Sequence, residues 1–275
     1  MDADELFRAG RVEEALARLK EQIRADPSDP ELRVFLFQLL CIMGDWDRAL
    51  TQLNVVGKLD AKHLLMVHVC RAALQCETFR QDVFEGRRTP LFFGEPGEWV
   101  GYWVQANQLA GQGQPQASEE LRDKAFEAAP SVEGTINDEP FEWIMDGDSR
   151  VGPFLEAVVD GKYFWVPFSA IRRVAIEEPT DLRDLVWAPA QFIWAAEGES
   201  VGLIPVRYPG SEDCPDIAIR KSAKTDWLEA PGGIYRGLGQ KMLYTDAGEH
   251  PLLQVRTITV NQPEAEEEEP EESDG

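Results

Sequence analysis

Gly10-Arg11-Val12-Glu13-Glu14-Ala15-Leu16 returns, 34 residues later, as Gly44-Asp45-Trp46-Asp47-Arg48-Ala49-Leu50. The match extends beyond the phrase: Leu19 and Asp26 recur as Leu53 and Asp60, while Val12 gives way to the bulkier Trp46. A glycine ahead of an apolar wedge and a small alanine is the chemistry of a helical hairpin. Glycine lets the first helix end in a left-handed turn, the wedge fills the elbow, and alanine lets two helices approach closely. Between the copies, Asp29-Pro30 reads as a helix start, an N-cap followed by proline at the first helical position. A helix over 30–43 follows, carrying the apolar run Val34 to Met43.

A period of 34 is that of the tetratricopeptide repeat (TPR). Further helical periodicity over 62–85, 97–110 and 117–129 extends the pattern, with Ala117 and Leu121 falling three periods after Ala15 and Leu19. Beyond Pro130 the texture changes to short runs rich in Trp, Phe, Val and Ile between turn residues, which predicts strands at 162–168, 171–177, 186–196, 200–208, 240–246 and 252–260. Glu197-Gly198-Glu199 and Asp246-Ala247-Gly248-Glu249 read as hairpin loops. One helix is expected over Ser149 to Val159, ending at Gly161. The expected architecture is α+β with two domains. An all-helical TPR-like superhelix spans 1–130, and an antiparallel β-rich domain with one or two helices spans 131–260. An acidic tail over 261–275 is expected to be disordered.

The chain of 275 residues carries a formal charge of −23, and eight of those charges lie in the last twelve residues. Such acidity repels phosphates and anionic headgroups, so neither nucleic acid nor membrane is an expected partner; a basic or amphipathic protein segment fits better. The apolar run at 34–43 is half the length of a membrane span, which needs about 20 residues, and Gln38 interrupts it. Its apolar residues occupy every side of a helix, as in a central element with neighbours all round. The acidic opening Met1-Asp2-Ala3-Asp4-Glu5 is unlike a secretory signal, and the expected location is the cytoplasm. Four cysteines in largely apolar sequence suggest buried, reduced thiols.

Candidate chemistry is sparse. His63, His68, Cys70 and Cys76 have zinc-ligand chemistry, yet on one continuous helix His68 and Cys76 each point about 140° away from His63, so no shared ion is expected. The acidic group Asp138, Glu139, Glu142, Asp146 and Asp148 lacks the closing glutamate of a calcium loop and reads as solvated acids around a buried Phe141-Glu142-Trp143. It is the sole motive for an enzyme reading. No nucleophile elbow, zinc-protease helix or P-loop occurs, and Gly237-Leu238-Gly239 reads as a turn. No catalytic, metal or cofactor residue is therefore assigned. Arg207-Tyr208-Pro209-Gly210-Ser211-Glu212 leaves a predicted strand through a Pro-Gly turn, where an exposed Arg and Tyr could meet a partner. Glu142, Asp146, Arg207 and Tyr208 are thus the candidate partner-binding residues.

Several ordered motifs together carry a family resemblance. They are Leu32 to Cys41 leading into Gly44-Asp45-Trp46-Asp47-Arg48-Ala49, Phe84-Glu85-Gly86-Arg87-Arg88-Thr89-Pro90, Glu139-Pro140-Phe141-Glu142-Trp143, Asp181-Leu182-Arg183-Asp184-Leu185-Val186-Trp187, and Arg207 to Glu212. The chain from about residue 5 to 258 resembles the ImpE family, also called TagJ or SciE-type proteins. The resemblance implies a non-enzymatic, cytoplasmic accessory protein of bacterial type VI secretion, a virulence-associated apparatus. It also implies binding to a helix near the N-terminus of the small sheath subunit, with an indirect link to the ClpV ATPase that recycles sheath. A TPR chaperone or scaffold for another cytoplasmic protein is the other reading of the same helical repeat.

Overall fold

The computed structural model describes residues 1–94 and 97–262; from Pro263 on, the acidic tail lies outside the described residues. The repeat read from the sequence is present as two helical hairpins, α1 (Ala3–Arg8) with α2 (Val12–Ala25) and α3 (Pro30–Ile42) with α4 (Trp46–Leu59). Asp29 caps α3 as expected, its carboxylate accepting from the Glu31 N–H at 2.8 Å with Pro30 in the first turn. Gly44 turns the chain at φ +71°, and a Cβ there would lie 2.5 Å from the Glu212 side chain, so strain and crowding both demand glycine. Ala15, Leu19, Ala49 and Leu53 are fully buried, as the repeat chemistry requires. The long α5 (Leu64–Phe84) follows, and after the two-residue strand β1 (Leu91–Phe92) comes a third hairpin, α6 (Glu98–Gly111) with α7 (Pro115–Ala128).

The β-rich part comprises β2 (Gly134–Ile136), β3 (Glu139–Phe141), β4 (Ile144–Asp146), β5 (Phe154–Val159), β6 (Lys162–Pro167), β7 (Ile171–Ile176), β8 (Trp187–Trp194), β9 (Glu199–Pro205), the short helix α8 (Ile217–Arg220), β10 (Thr225–Ala230), β11 (Ile234–Gly239), β12 (Met242–Thr245), β13 (Gly248–Pro251) and β14 (Thr257–Val260). Nine strands form one sheet in the order β1-β6-β5-β9-β8-β7-β14-β2-β3, antiparallel at every pairing except β1 with β6. A three-stranded sheet β13-β12-β4 and a hairpin β10-β11 complete it. The fold is α+β, with a TPR-like helical region followed by an antiparallel β-rich region.

The helix expected over 149–159 is a turn and then β5. Its six residues, Phe-Leu-Glu-Ala-Val-Val, are all buried, so no polar face marks them as a strand. Phe154, Val158, Tyr163 and Trp165 pack with the helices in one core, whereas Leu155, Ala157, Val159 and Val166 belong to a second core on the other side of the sheet. A strand covered on both faces loses its alternation, and periodicity cannot tell it from a buried helix. Phe154 is the hub of the first core, with Trp99, Trp165, Phe92 and Trp103 ring centroids 4.9–6.1 Å away. Gly237-Leu238-Gly239 is not a turn but the end of β11, where a Cβ on Gly237 would sit 2.2 Å from the Tyr208 ring. The strand expected over 252–260 begins only at Thr257, after a 3-10 turn at Leu252–Gln254.

Candidate functional site

Two features fall between the helices and the sheet: a buried ionic seam and an open apolar cleft. The seam starts at Glu156 in β5, the single charge in an apolar strand. Its carboxylate accepts from Arg80 of α5 at 2.5 and 3.0 Å and from the Tyr163 hydroxyl at 2.5 Å, and pairs with the Lys241 ammonium. Lys241 also bonds Asp146 at 2.8 Å, and Asp146 accepts from the Tyr208 hydroxyl at 2.9 Å. Glu156, Asp146, Lys241 and Tyr208 have no exposed surface. Burial alone would raise the Glu156 carboxyl, but Arg80 and Lys241 outweigh it and hold it at about 2. At Asp146 burial wins over Lys241 and the carboxyl lies above its ordinary range. Every one of these groups has partners, the condition under which buried charge is tolerated.

Arg207 extends the seam to the repeat. Its guanidinium donates to the carbonyls of Cys41 at 2.7 Å and Ile42 at 2.8 Å, and to that of Arg220. Cys41 and Ile42 end α3, at the negative end of the helix dipole, and although the Cys41 carbonyl also accepts from the Gly44 N–H at 3.1 Å, a guanidinium there both caps and neutralises. Arg207 also stands 5.6 Å from the Trp46 ring, Trp46 packs on Trp187 at 6.0 Å, and the Trp187 indole donates to Glu77 at 2.6 Å. A second pair, Asp148 with Arg150, sits beside the third hairpin, where the Arg150 carbonyl accepts from Trp103 and Asn107 at 2.8 and 2.9 Å.

This placement corrects three of the four candidate contact residues. All three are interior: the chain after the Pro-Gly turn folds back so that Glu212 packs at Gly44, which keeps Arg207 and Tyr208 from solvent, and Asp146 is enclosed with Lys241 and Tyr208. Glu142 alone is exposed, its backbone N–H donating to Asp246 at 2.7 Å. The acidic group does not converge. Asp146 and Asp148 are buried in separate ion pairs while Asp138, Glu139 and Glu142 lie on the surface. Cys70 and Cys76 are buried and their thiols pushed by burial to about 12 and about 11. Among the described residues no group of three or more His, Cys, Asp or Glu is placed to hold a metal ion. No helix among them is long and apolar enough to cross a membrane.

The cleft is the surface feature that sequence reading missed. It has a volume of about 360 Å³ and is walled by Trp99 of α6, Phe126 of α7, Val132, Trp143, Met145 of β4 and Phe168. Ser131 donates to the Glu142 carbonyl at 3.3 Å and ties the chain after α7 to the β3–β4 connection that carries Trp143. Trp143 was expected to be buried with Phe141; Phe141 is, but Trp143 is 39% exposed. Its signal in the sequence was a tryptophan in a polar turn segment, indistinguishable without the fold from a core residue. Lys241 and Glu156 left only a charge within an apolar run.

The fold and this junction define the class first: a tetratricopeptide-repeat protein whose repeat is joined through a polar interior to a β-rich module. The tetratricopeptide repeat family matches residues 6–68, and the family described as ImpE protein matches residues 138–259. The chain is 47% identical over 258 residues to the "Type VI secretion system accessory component TagJ" of Pseudomonas aeruginosa, covering 94% of this chain and 90% of that protein. The crystal structure of protein VPA1032 from Vibrio parahaemolyticus superposes with a TM-score of 0.84 at 28% identity, covering 95% of this chain and 98% of that one. The chain belongs to the ImpE/TagJ family.

Proposed function

We propose that this protein is a non-enzymatic accessory component of a bacterial type VI secretion system, acting in the cytoplasm as an adaptor. It binds the N-terminal helix of the small sheath subunit and is linked through the sheath to the ClpV ATPase. The observation that carries this reading is the likeness to TagJ over nearly the whole chain, which spans both the repeat and the β-rich module. The geometry is in keeping with it: a helical repeat offers surfaces suited to an amphipathic helix, and the buried carboxylates are consumed by structural ion pairs. Titration of the purified protein with the sheath helix as a synthetic peptide tests the proposal. Saturable binding is expected, and no binding at high micromolar concentration sinks it.

A further inference from the structure

We propose that the cavity where α5 and α6 end beside β11 binds a phosphate group, free or carried on a small molecule, between the guanidinium groups of Arg236 and Arg150. The proposal is independent of the adaptor reading.

The cavity has a volume of about 350 Å³, and its walls include Phe84 and Glu85 at the end of α5, Asn107 and Gly111 of α6, Arg150 and Arg236. That is the size of a small-ligand site. Half-buried Arg236 reaches it from β11, which is pinned to the turn that carries Arg150. The Ser149 N–H donates to the Tyr235 carbonyl at 2.9 Å, the Tyr235 N–H to the Ser149 hydroxyl at 3.0 Å, and the Gly237 N–H to Asp148 at 2.9 Å. Arg150 is only 9% exposed, with its guanidinium 4.7 Å from the Phe84 ring. Both guanidinium groups are therefore held in place by the fold before any ligand arrives.

Their charge is not fully answered by the protein. The fully buried Asp148 carboxylate accepts from the Arg150 backbone N–H and Nε at 2.9 Å, from the Arg150 Nη2 at 2.6 Å, and from Gly237. A carboxylate offers about four acceptor sites, so Asp148 has none left for Arg236. Among the described residues the Arg236 guanidinium has no hydrogen-bond or ion-pair partner, and its Nε is buried without an acceptor. Arg87, also on the wall, is taken up by Asp82 and Glu85. Behind the wall Arg122 donates only to neutral oxygens, those of Ser149, Asn107 and Ser118. Burial, joined by the like charges of Arg150 and Arg236, lowers Arg122 to about 10 against the pull of Asp148 and Asp123. Other interior cations are treated in the opposite way: Arg80 lies against Glu156, and Lys241 against Asp146 and Glu156. A guanidinium presents a fork of donors that matches two oxygens of a phosphate, and two forks from separate elements suit a tetrahedral dianion better than a flat carboxylate. Glu85 and the carbonyl ends of α5 and α6 oppose an anion, so a monovalent ion such as chloride is disfavoured and a dianion engaged by both guanidinium groups is selected.

The test uses the full chain with inorganic phosphate, glycerol 3-phosphate, citrate and sodium chloride at matched ionic strength, read by titration calorimetry and thermal melting. Saturable binding of a phosphate and a rise in melting temperature are expected, with no saturable response to chloride. Tighter binding of glycerol 3-phosphate would identify phosphate monoesters as the ligands, and tighter binding of inorganic phosphate the free ion; either upholds the site. Arg236→Gln removes a guanidinium without protein partners, so in chloride it should melt no lower than the unaltered protein, yet bind phosphate about tenfold or more weakly. Arg236→Lys keeps the charge without the fork and should recover only part of that loss. No saturable binding of either phosphate at millimolar concentration overturns the proposal. So does phosphate binding that Arg236→Gln leaves unchanged, the mark of an adventitious ion only. Citrate that binds more tightly than both phosphates, and is lost in Arg236→Gln, would assign the cavity to carboxylates and overturn the choice of phosphate. A lower melting temperature of Arg236→Gln in chloride would show the guanidinium to be structural and count equally against the site.

Discussion

Arg207 shows how far one side chain reaches in this molecule. Its guanidinium closes the end of α3, and its own carbonyl accepts from Arg80 at 2.8 Å, so repeat, long helix and sheet meet on one residue. Arg207→Ala removes the side-chain donor to the buried Ile42 and Arg220 carbonyls and one of two donors to that of Cys41, and should cost about 3 kcal/mol, measured by urea denaturation. Arg207→Lys should restore little, since a single ammonium cannot span the same fork of acceptors. The cysteines make a second prediction at this scale. Burial raises the thiols of Cys41, Cys70 and Cys76, so in the folded protein at neutral pH these three should resist alkylation, while half-buried Cys214 reacts first. Mass spectrometry after brief iodoacetamide treatment checks it. The motif around Arg207 was readable as a turn, but its direction was not. Whether a Pro-Gly turn faces solvent or a neighbour depends on what folds over it, here Gly44.

Among the elements, α3 and β5 are two apolar runs with opposite outcomes. α3 keeps its helix through a capped start and a glycine stop, both local signals, and its last seven residues from Leu36 to Ile42 are all buried. Leu36→Asp or Leu40→Asp places an uncompensated charge there and should cost several kcal/mol, enough to unfold the helical region; unchanged thermal melting would show that α3 is not central. β5 has no such local signals. Leu155-Glu156-Ala157-Val158 alternates between two cores, and only the presence of both makes the alternation visible. The β8–β9 hairpin, with its loop at Glu197 and Gly198, is legible from the alternation that β5 lacks.

At the scale of the whole molecule the seam makes stability depend on pH. Glu156 falls from its ordinary 4.5 to about 2 on folding, so its contribution is fully present above about 4.5 and is lost as pH drops through 2. Asp146 and Glu77 shift upward through burial and act oppositely, so acidification relieves part of their cost. Urea denaturation across this range should show an acid limb between pH 4.5 and 2. Glu156→Gln should flatten that limb and lower stability at neutral pH by about 3–5 kcal/mol, since it strips a buried pair of one partner. Because helices and sheet share the core around Phe154, Phe154→Ala should cost about 3–5 kcal/mol. Far-ultraviolet and tryptophan signals should also melt together; separate transitions would show two independent cores.

The sequence by itself determined the repeat, the caps and turns of its helices, the six strands β6, β7, β8, β9, β12 and β14, the excess of negative charge and the family. All of these are set by neighbours within a few residues or by a fixed period, where propensity, capping and spacing act. Tertiary structure alone decided that Arg207, Tyr208 and Asp146 are interior, that β5 is a strand, and that Phe126 and Trp143 line one open cleft. Burial and convergence are properties of contacts between distant segments: Glu156 meets Arg80 across 76 residues and Arg207 meets Cys41 across 166, distances over which no local pattern carries information.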